Sequence, residues 1–185
     1  TYPPLLEYYS ICPYNVIQLK DNLGFKALWK SHLKKIYCSD YYIYTVSDVV
    51  PAKHCPPDFI DFLFVQMKNH PFAYKIGLSL RIDNIPSHYR EKEKVISWEK
   101  RFYSQPVTEY LYRAPIDTTF ALYRPRVGLS RSRYKEVYRT AYPYEAEHLP
   151  WYINSEDLPE EESYYINHCK QTTEWTSLLI KNVKE

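Results

Sequence analysis

The chain has 185 residues and is 45% hydrophobic, enough to bury one sizeable core. Its 24 basic and 22 acidic side chains leave a net charge of +2, too even a balance to demand a nucleic acid or an anionic membrane as partner. No apolar run approaches the roughly 18 residues of a membrane span.

Tyrosine (21) and proline (14) are over-represented, and glycine (3) is scarce. Tyrosine faces are both apolar and hydrogen-bonding, suited to core packing or to stacking on sugars and bases. Cys12, Cys38, Cys55 and Cys169 show no C-x-x-C spacing. With no secretory leader ahead of them, they read as reduced thiols of a cytoplasmic protein. The chain opens at Thr1 without Met, as expected of a processed chain, an expression fragment or a chain that lacks an upstream part.

In chain order, Pro3-Pro4 opens a short helix reaching toward Cys12, since proline is tolerated in a first helical turn. Asn15 to Lys20 reads as a strand and Asp21 to Gly24 as a turn. From Phe25 to Tyr37, Phe25, Leu28, Trp29, His32, Leu33 and Ile36 share one helical face. Tyr41 to Val46 is a strand of aromatic and β-branched residues, and pairing is expected to stop at Pro51, which has no N–H for a ladder. Strand, turn, helix, strand makes a parallel crossover unit, with the loops Asp21–Gly24 and Ser47–Pro51 on one edge of its sheet.

Pro56-Pro57-Asp58 starts a helix that His70-Pro71 ends. Tyr74 to Ile82 follows as a strand, His88 to Tyr103 as a charged helix, and Gln105 to Pro115 as irregular chain. Phe120 to Tyr123 is an apolar strand, Arg124 to Arg139 a basic loop, Pro143 to Trp151 a turn-rich segment and Glu156 to Trp175 an acidic helix. No internal repeat or low-complexity linker interrupts the chain.

Asp48 stands out chemically. In open α/β sheets, ligands bind beyond the carboxyl ends of strands, and a half-exposed carboxylate there suits a divalent cation; the alternative is a turn-capping Asp. Asn22-x-Gly24 precedes it, across a helix that carries Lys26 and Lys30. Farther on come Ala114-Pro115-Ile116-Asp117-Thr118-Thr119-Phe120-Ala121-Leu122-Tyr123-Arg124-Pro125 and His148-Leu149-Pro150-Trp151-Tyr152.

This ordered set resembles GT-A-fold, family-2-like glycosyltransferases of bacterial and viral type, over most of the chain from Thr1 to about Tyr165. The resemblance implies an α/β, GT-A-like single domain over 1–185, with a mixed, mostly parallel sheet flanked by helices. A nucleotide-binding half would span about 1–103 and an acceptor half about 104–185. It implies transfer of a sugar from a UDP- or GDP-sugar to a hydroxyl acceptor, with Mn²⁺ or Mg²⁺ and no nucleic-acid partner.

On that resemblance Asp48 and His148 are the expected metal ligands. Asn22, Lys26, Lys30, Arg124 and Arg139 are expected at the nucleotide-sugar, with Arg126, Arg131 and Arg133 completing a basic band over the phosphates. Asp117 is expected to bind donor hydroxyls or deprotonate the acceptor, with Glu99, beside Trp98, as the alternative base. Each has a bland counterpart: a solvated helix face for the lysines, an exposed loop for the arginines, a cap for Asp117, and helix packing for Glu99.

One departure bears on the metal. The family's Asp-x-Asp places its first Asp where this chain has Val46. Two rival functions follow: a non-catalytic sugar- or nucleotide-binding member of the same fold, and a single-strand nucleic-acid binder using tyrosines and the 124–139 band. The even charge and the lack of an RNA-binding signature disfavour the second rival.

Overall fold

A computed structural model describes residues 2–116, 120–128 and 136–168. The chain divides into two units. One comprises Thr1–Asp21, His88–Arg90 and Ile153–Glu185, and holds α1 (Pro3–Ile11) and α6 (Glu160–His168). Pro3 and Pro4 sit in the first turn of α1, as expected, and Ser155 Oγ accepts a hydrogen bond from the Arg90 amide.

The other unit, Asn22–Ser87 and Glu91–Tyr152, carries all the strands among the described residues. These are β1 (Tyr42–Tyr44), β2 (Val49–Pro51), β3 (Lys75–Gly77), β4 (Ser79–Leu80), β5 (Pro106–Thr108), β6 (Leu111–Arg113), β7 (Ala121–Tyr123), β8 (Val137–Thr140) and β9 (Glu145–His148). Six form one sheet in the order β1-β7-β3-β8-β6-β5, and three form a second, β2-β9-β4.

The expectation of a mostly parallel sheet is overturned. Only β3–β8 and β4–β9 run parallel; the other five pairings are antiparallel. The crossover unit behind that expectation does not form. Residues 15–20 make no strand, and Val16 and Ile17 are exposed.

The helix expected over 25–37 is also interrupted. A 3-10 turn (Gly24–Lys26) leads into α2 (Ala27–Lys30), and α3 (Leu33–Tyr37) follows a break at Ser31. Ser31 is extended, and its Oγ accepts the Leu33 N–H, a local bond that competes with helix continuation. Residues 105–115, read as irregular, hold the β5–β6 pair, and the basic stretch and the turn-rich segment hold β8 and β9. Among the described residues no helix is long and apolar enough to cross a membrane.

Two stacked tyrosines lie at the centre of the core. Tyr42 stacks on Tyr123 at 4.9 Å between centroids, its hydroxyl donates to the Val127 carbonyl, and Trp29 Nε1 donates to that hydroxyl at 3.0 Å. A buried phenol needs such partners. Cys38, Ile116, Ala121, Val127 and Val137 fill the space around these rings. Gly77 lies opposite Ala121. A Cβ there would come within 2.8 Å of the Ala121 Cβ, so only glycine allows the two strands this approach.

Helix α4 (Phe59–Asn69) buries Leu63 and Met67 and stacks Phe62 on Tyr144 at 3.7 Å. Truncating a fully buried leucine such as Leu63 costs about 2–5 kcal/mol. Lys92–Lys100 forms α5, followed by a 3-10 turn over Arg101–Tyr103, close to the helix expected there.

Candidate functional site

The end of the β2–β9 ladder brings Asp48 and His148 together. Val49 pairs with His148, Val50 with Glu147 and Pro51 with Ala146, and the Leu149 N–H donates to the Asp48 carbonyl at 2.8 Å. The ladder closes at Pro51 apart from one bond from the Ala52 N–H to Glu145. Proline is tolerated because β2 is an edge strand. Two residues a hundred positions apart are thereby fixed on one rim, with His148 Nε2 3.3 Å from Asp48 Oδ2.

The side chains are 24% and 42% exposed, respectively. Trp151, on the 3-10 turn Leu149–Tyr152, sets its ring edge-on to the imidazole at 4.9 Å. Asp48 Oδ1 and His148 Nδ1 are buried, and neither has a hydrogen-bond partner. Burial pushes the Asp48 carboxyl up, but the hydrogen bond and charge of His148, with Asp48's own backbone amide, hold it below its ordinary value. Asp48 is therefore a carboxylate at neutral pH.

This arrangement limits the chemistry. The second ring nitrogen of His148 is buried, so it is badly placed to take a proton from a ligand. The facing pair, one carboxylate oxygen and one imidazole nitrogen, fits a divalent cation in place of the shared proton. Asp48 Oδ1 is buried in the same way, so Oδ2 is the carboxylate oxygen that faces the imidazole. Among the described residues no group of three or more His, Cys, Asp or Glu surrounds this point. A hard cation held here would have to take its remaining ligands from water or a bound phosphate.

The other sequence-derived residues are dispersed. Asn22 Oδ1 accepts the Gly24 N–H at 2.9 Å, an Asx turn in which Gly24 takes φ +59°. Lys26 and Lys30 are exposed on the short helical segment packed on β1 through the Tyr44 hydroxyl and the Phe25 carbonyl. Neither lysine forms an ion pair among the described residues.

Arg124, expected over phosphates, instead ties backbone together. It donates to the carbonyls of Ala73, Met67 and His70 and to the Tyr41 hydroxyl. Arg139 is buried, 2.6 Å from Glu99, with its Nε on the Pro115 carbonyl and its guanidinium 4.0 Å from the Phe102 ring. Glu99, the alternative base, is thus the buried counter-ion of Arg139. Arg126 donates its backbone N–H to the Cys38 carbonyl. Asp117, Arg131 and Arg133 lie outside the described residues.

A second polar group escaped sequence reasoning. Glu145 and Glu147 alternate along β9, on the strand face opposite Ala146 and His148. Glu145 meets His54 at 3.1 Å; Glu147 accepts from Asn84 and lies 3.6 Å from Arg81, and the Tyr152 hydroxyl donates to Asn84. Burial raises the Glu145 carboxyl despite His54. The alternation Glu-Ala-Glu-His was the available signal, hidden by the absence of β-branched residues.

Comparison of the chain with protein-family models, with curated proteins and with solved structures found no significant match.

Proposed function

We propose that the chain is a metal-dependent glycosyltransferase that moves a sugar from a nucleoside diphosphate donor to a hydroxyl acceptor. The observation that carries this reading is the 3.3 Å contact of His148 with Asp48, with a buried, unpartnered donor atom on each side chain. The resemblance of Asn22-x-Gly24, of the 114–125 run and of the 148–152 run to GT-A-fold enzymes supplies the reaction class.

In this reading Asp48 and His148 would hold Mn²⁺ or Mg²⁺ at the donor's diphosphate. The cation supplies Lewis-acid neutralisation of the leaving phosphates. Lys26 and Lys30, on the helical segment packed on β1, would have to supply positive charge to the diphosphate, with Asn22 at the turn before them. The bond between the anomeric carbon and the diphosphate oxygen breaks, the acceptor oxygen bonds to that carbon, and Asp117 takes the acceptor proton or orients the donor hydroxyls. Glu99, Arg124 and Arg139 take no part, because their charged groups are engaged in internal contacts.

The test is a Mn²⁺ titration of the full chain with a panel of UDP- and GDP-sugars, following donor hydrolysis and thermal unfolding. We expect turnover and a rise in Tm of several degrees at saturating nucleotide and metal. Both should be lost in Asp48→Ala. No response to any donor removes the proposal.

A second reading, nucleotide-sugar binding without turnover, draws on Val46 in place of the family's first Asp and on the lack of a third ligand among the described residues. Metal-dependent donor binding with no hydrolysis or transfer would select it.

A further inference from the structure

His148 and Trp151 are bracketed by one hydrogen-bonded chain. Asn84 Nδ2 donates to Glu147 Oε1 at 3.0 Å, and the Tyr152 hydroxyl donates to Asn84 Oδ1 at 2.7 Å. Glu147 immediately precedes His148, and Tyr152 immediately follows Trp151. The Asn84 amide therefore ties the end of β9 to the end of the 3-10 turn Leu149–Tyr152 and closes a loop of chain around the His148–Trp151 contact.

The bridge has a fixed base. The Arg81 N–H donates to the Ala146 carbonyl at 2.8 Å, and Ile85 is buried, so the backbone is anchored on both sides of Asn84. An amide satisfies both partners at once: the Glu147 carboxylate needs a donor, and the Tyr152 hydroxyl needs an acceptor. Burial pushes the Tyr152 hydroxyl up to about 12, so it keeps its proton at neutral pH. The imidazole has little else to orient it. A metal-binding histidine usually donates its second ring N–H to a neighbour, but His148 Nδ1 is buried without a hydrogen-bond partner. The buried Trp151 ring, edge-on at 4.9 Å, does that work instead.

We propose that Asn84 is a positioning residue for His148: its bridge from Glu147 to Tyr152 seats Trp151 against the imidazole and so keeps Nε2 turned toward Asp48. Its consequence for metal binding rests on the reading of Asp48 and His148 as metal ligands. The orientation of the imidazole does not.

The test is a double-mutant cycle on the full chain. Asn84→Asp sets two carboxylates face to face. Asn84→Asp combined with Glu147→Gln puts a donor opposite an acceptor again, leaves an oxygen for Tyr152, and keeps the wild-type net charge. Two quantities are read: ring-to-ring NOEs between His148 and Trp151, and the Mn²⁺ dissociation constant by EPR. Asn84→Asp should lose the NOEs and weaken Mn²⁺ binding about tenfold, the lower end of the range for outer-shell partners of metal ligands. Asn84→Ala, which removes the bridge without adding charge, should act in the same direction. The double variant should recover both quantities. NOEs that persist in Asn84→Asp and Asn84→Ala, or a double variant that recovers neither quantity, would overturn the proposal. If the wild type binds no Mn²⁺, the metal reading falls. Loss of the NOEs in the single variants and their return in the double would then still support the bridge, and their persistence would still overturn it.

Discussion

Glu99–Arg139 and Asp48–His148 both set a carboxylate oxygen against a side-chain nitrogen within the strand-bearing unit, at 2.6 Å and 3.3 Å. The first is closed off from water, with side chains 7% and 3% exposed, a second hydrogen bond to a backbone carbonyl and an aromatic ring against the guanidinium. The second sits on a rim, part-exposed, with one donor atom on each side chain left over. Internal engagement of a charged group locks it into the fold, whereas a part-exposed pair can still be reached from solvent. Residue type alone does not separate the two cases; the surroundings do.

Breaking the inner pair should give the largest effect. Glu99→Ala leaves the Arg139 charge buried without its counter-ion and should cost about 3–5 kcal/mol in urea unfolding. Glu99→Leu with Arg139→Met should recover much of that loss. A loss below about 1 kcal/mol, the range of exposed pairs, would erase the contrast between the two contacts.

Arg124→Lys comes next. A lysine cannot reproduce a planar fork donating to several carbonyls, and with hydrogen bonds to a charged group worth about 1.5–3 kcal/mol each, a loss of about 2 kcal/mol is expected. A silent variant would return Arg124 to the candidates for phosphate binding.

The smallest effect belongs to the rim. Asp48→Asn should change stability by about 1 kcal/mol or less at neutral pH. The folded carboxyl titrates below its ordinary value. Its contribution is therefore complete above the ordinary aspartate value, near about 4, and is lost as the pH falls through the folded one. Urea midpoints of wild type and Asp48→Asn should thus stay apart above about pH 5 and converge on acidification. A gap that persists at low pH would show that His148 does not hold the carboxylate.

The sequence told some elements plainly and hid others. The helix Phe59–Asn69 was legible because its apolar spacing lies between Pro56-Pro57 and His70-Pro71. The strand at 42–44 was legible from its aromatic and β-branched content, 121–123 from its apolar run, and 75–77 fell within the expected strand 74–82. Strand β9 was not, since Glu-Ala-Glu-His has no strand-forming side chain and owes its place to pairing with β2 and β4. Strand direction was lost with one wrong element: reading residues 15–20 as a strand produced a parallel unit that the chain does not make.

At the rim, Asp48 and His148 could be nominated together from the family-like runs around them. Glu99 could not be sorted correctly, because Trp98 beside it is 46% exposed while the carboxylate is buried, the reverse of what hydropathy suggests.

The Arg124 guanidinium has a consequence for the continuity of the chain. It grips carbonyls on both sides of Pro71 and Phe72, and Phe72 is 80% exposed. Protease cleavage after that ring would sever the covalent connection between α4 and β3 while leaving a non-covalent bridge across the cut. The two fragments should then stay together until a denaturant loosens that grip, behaving in native gels as one molecule and in denaturing gels as two.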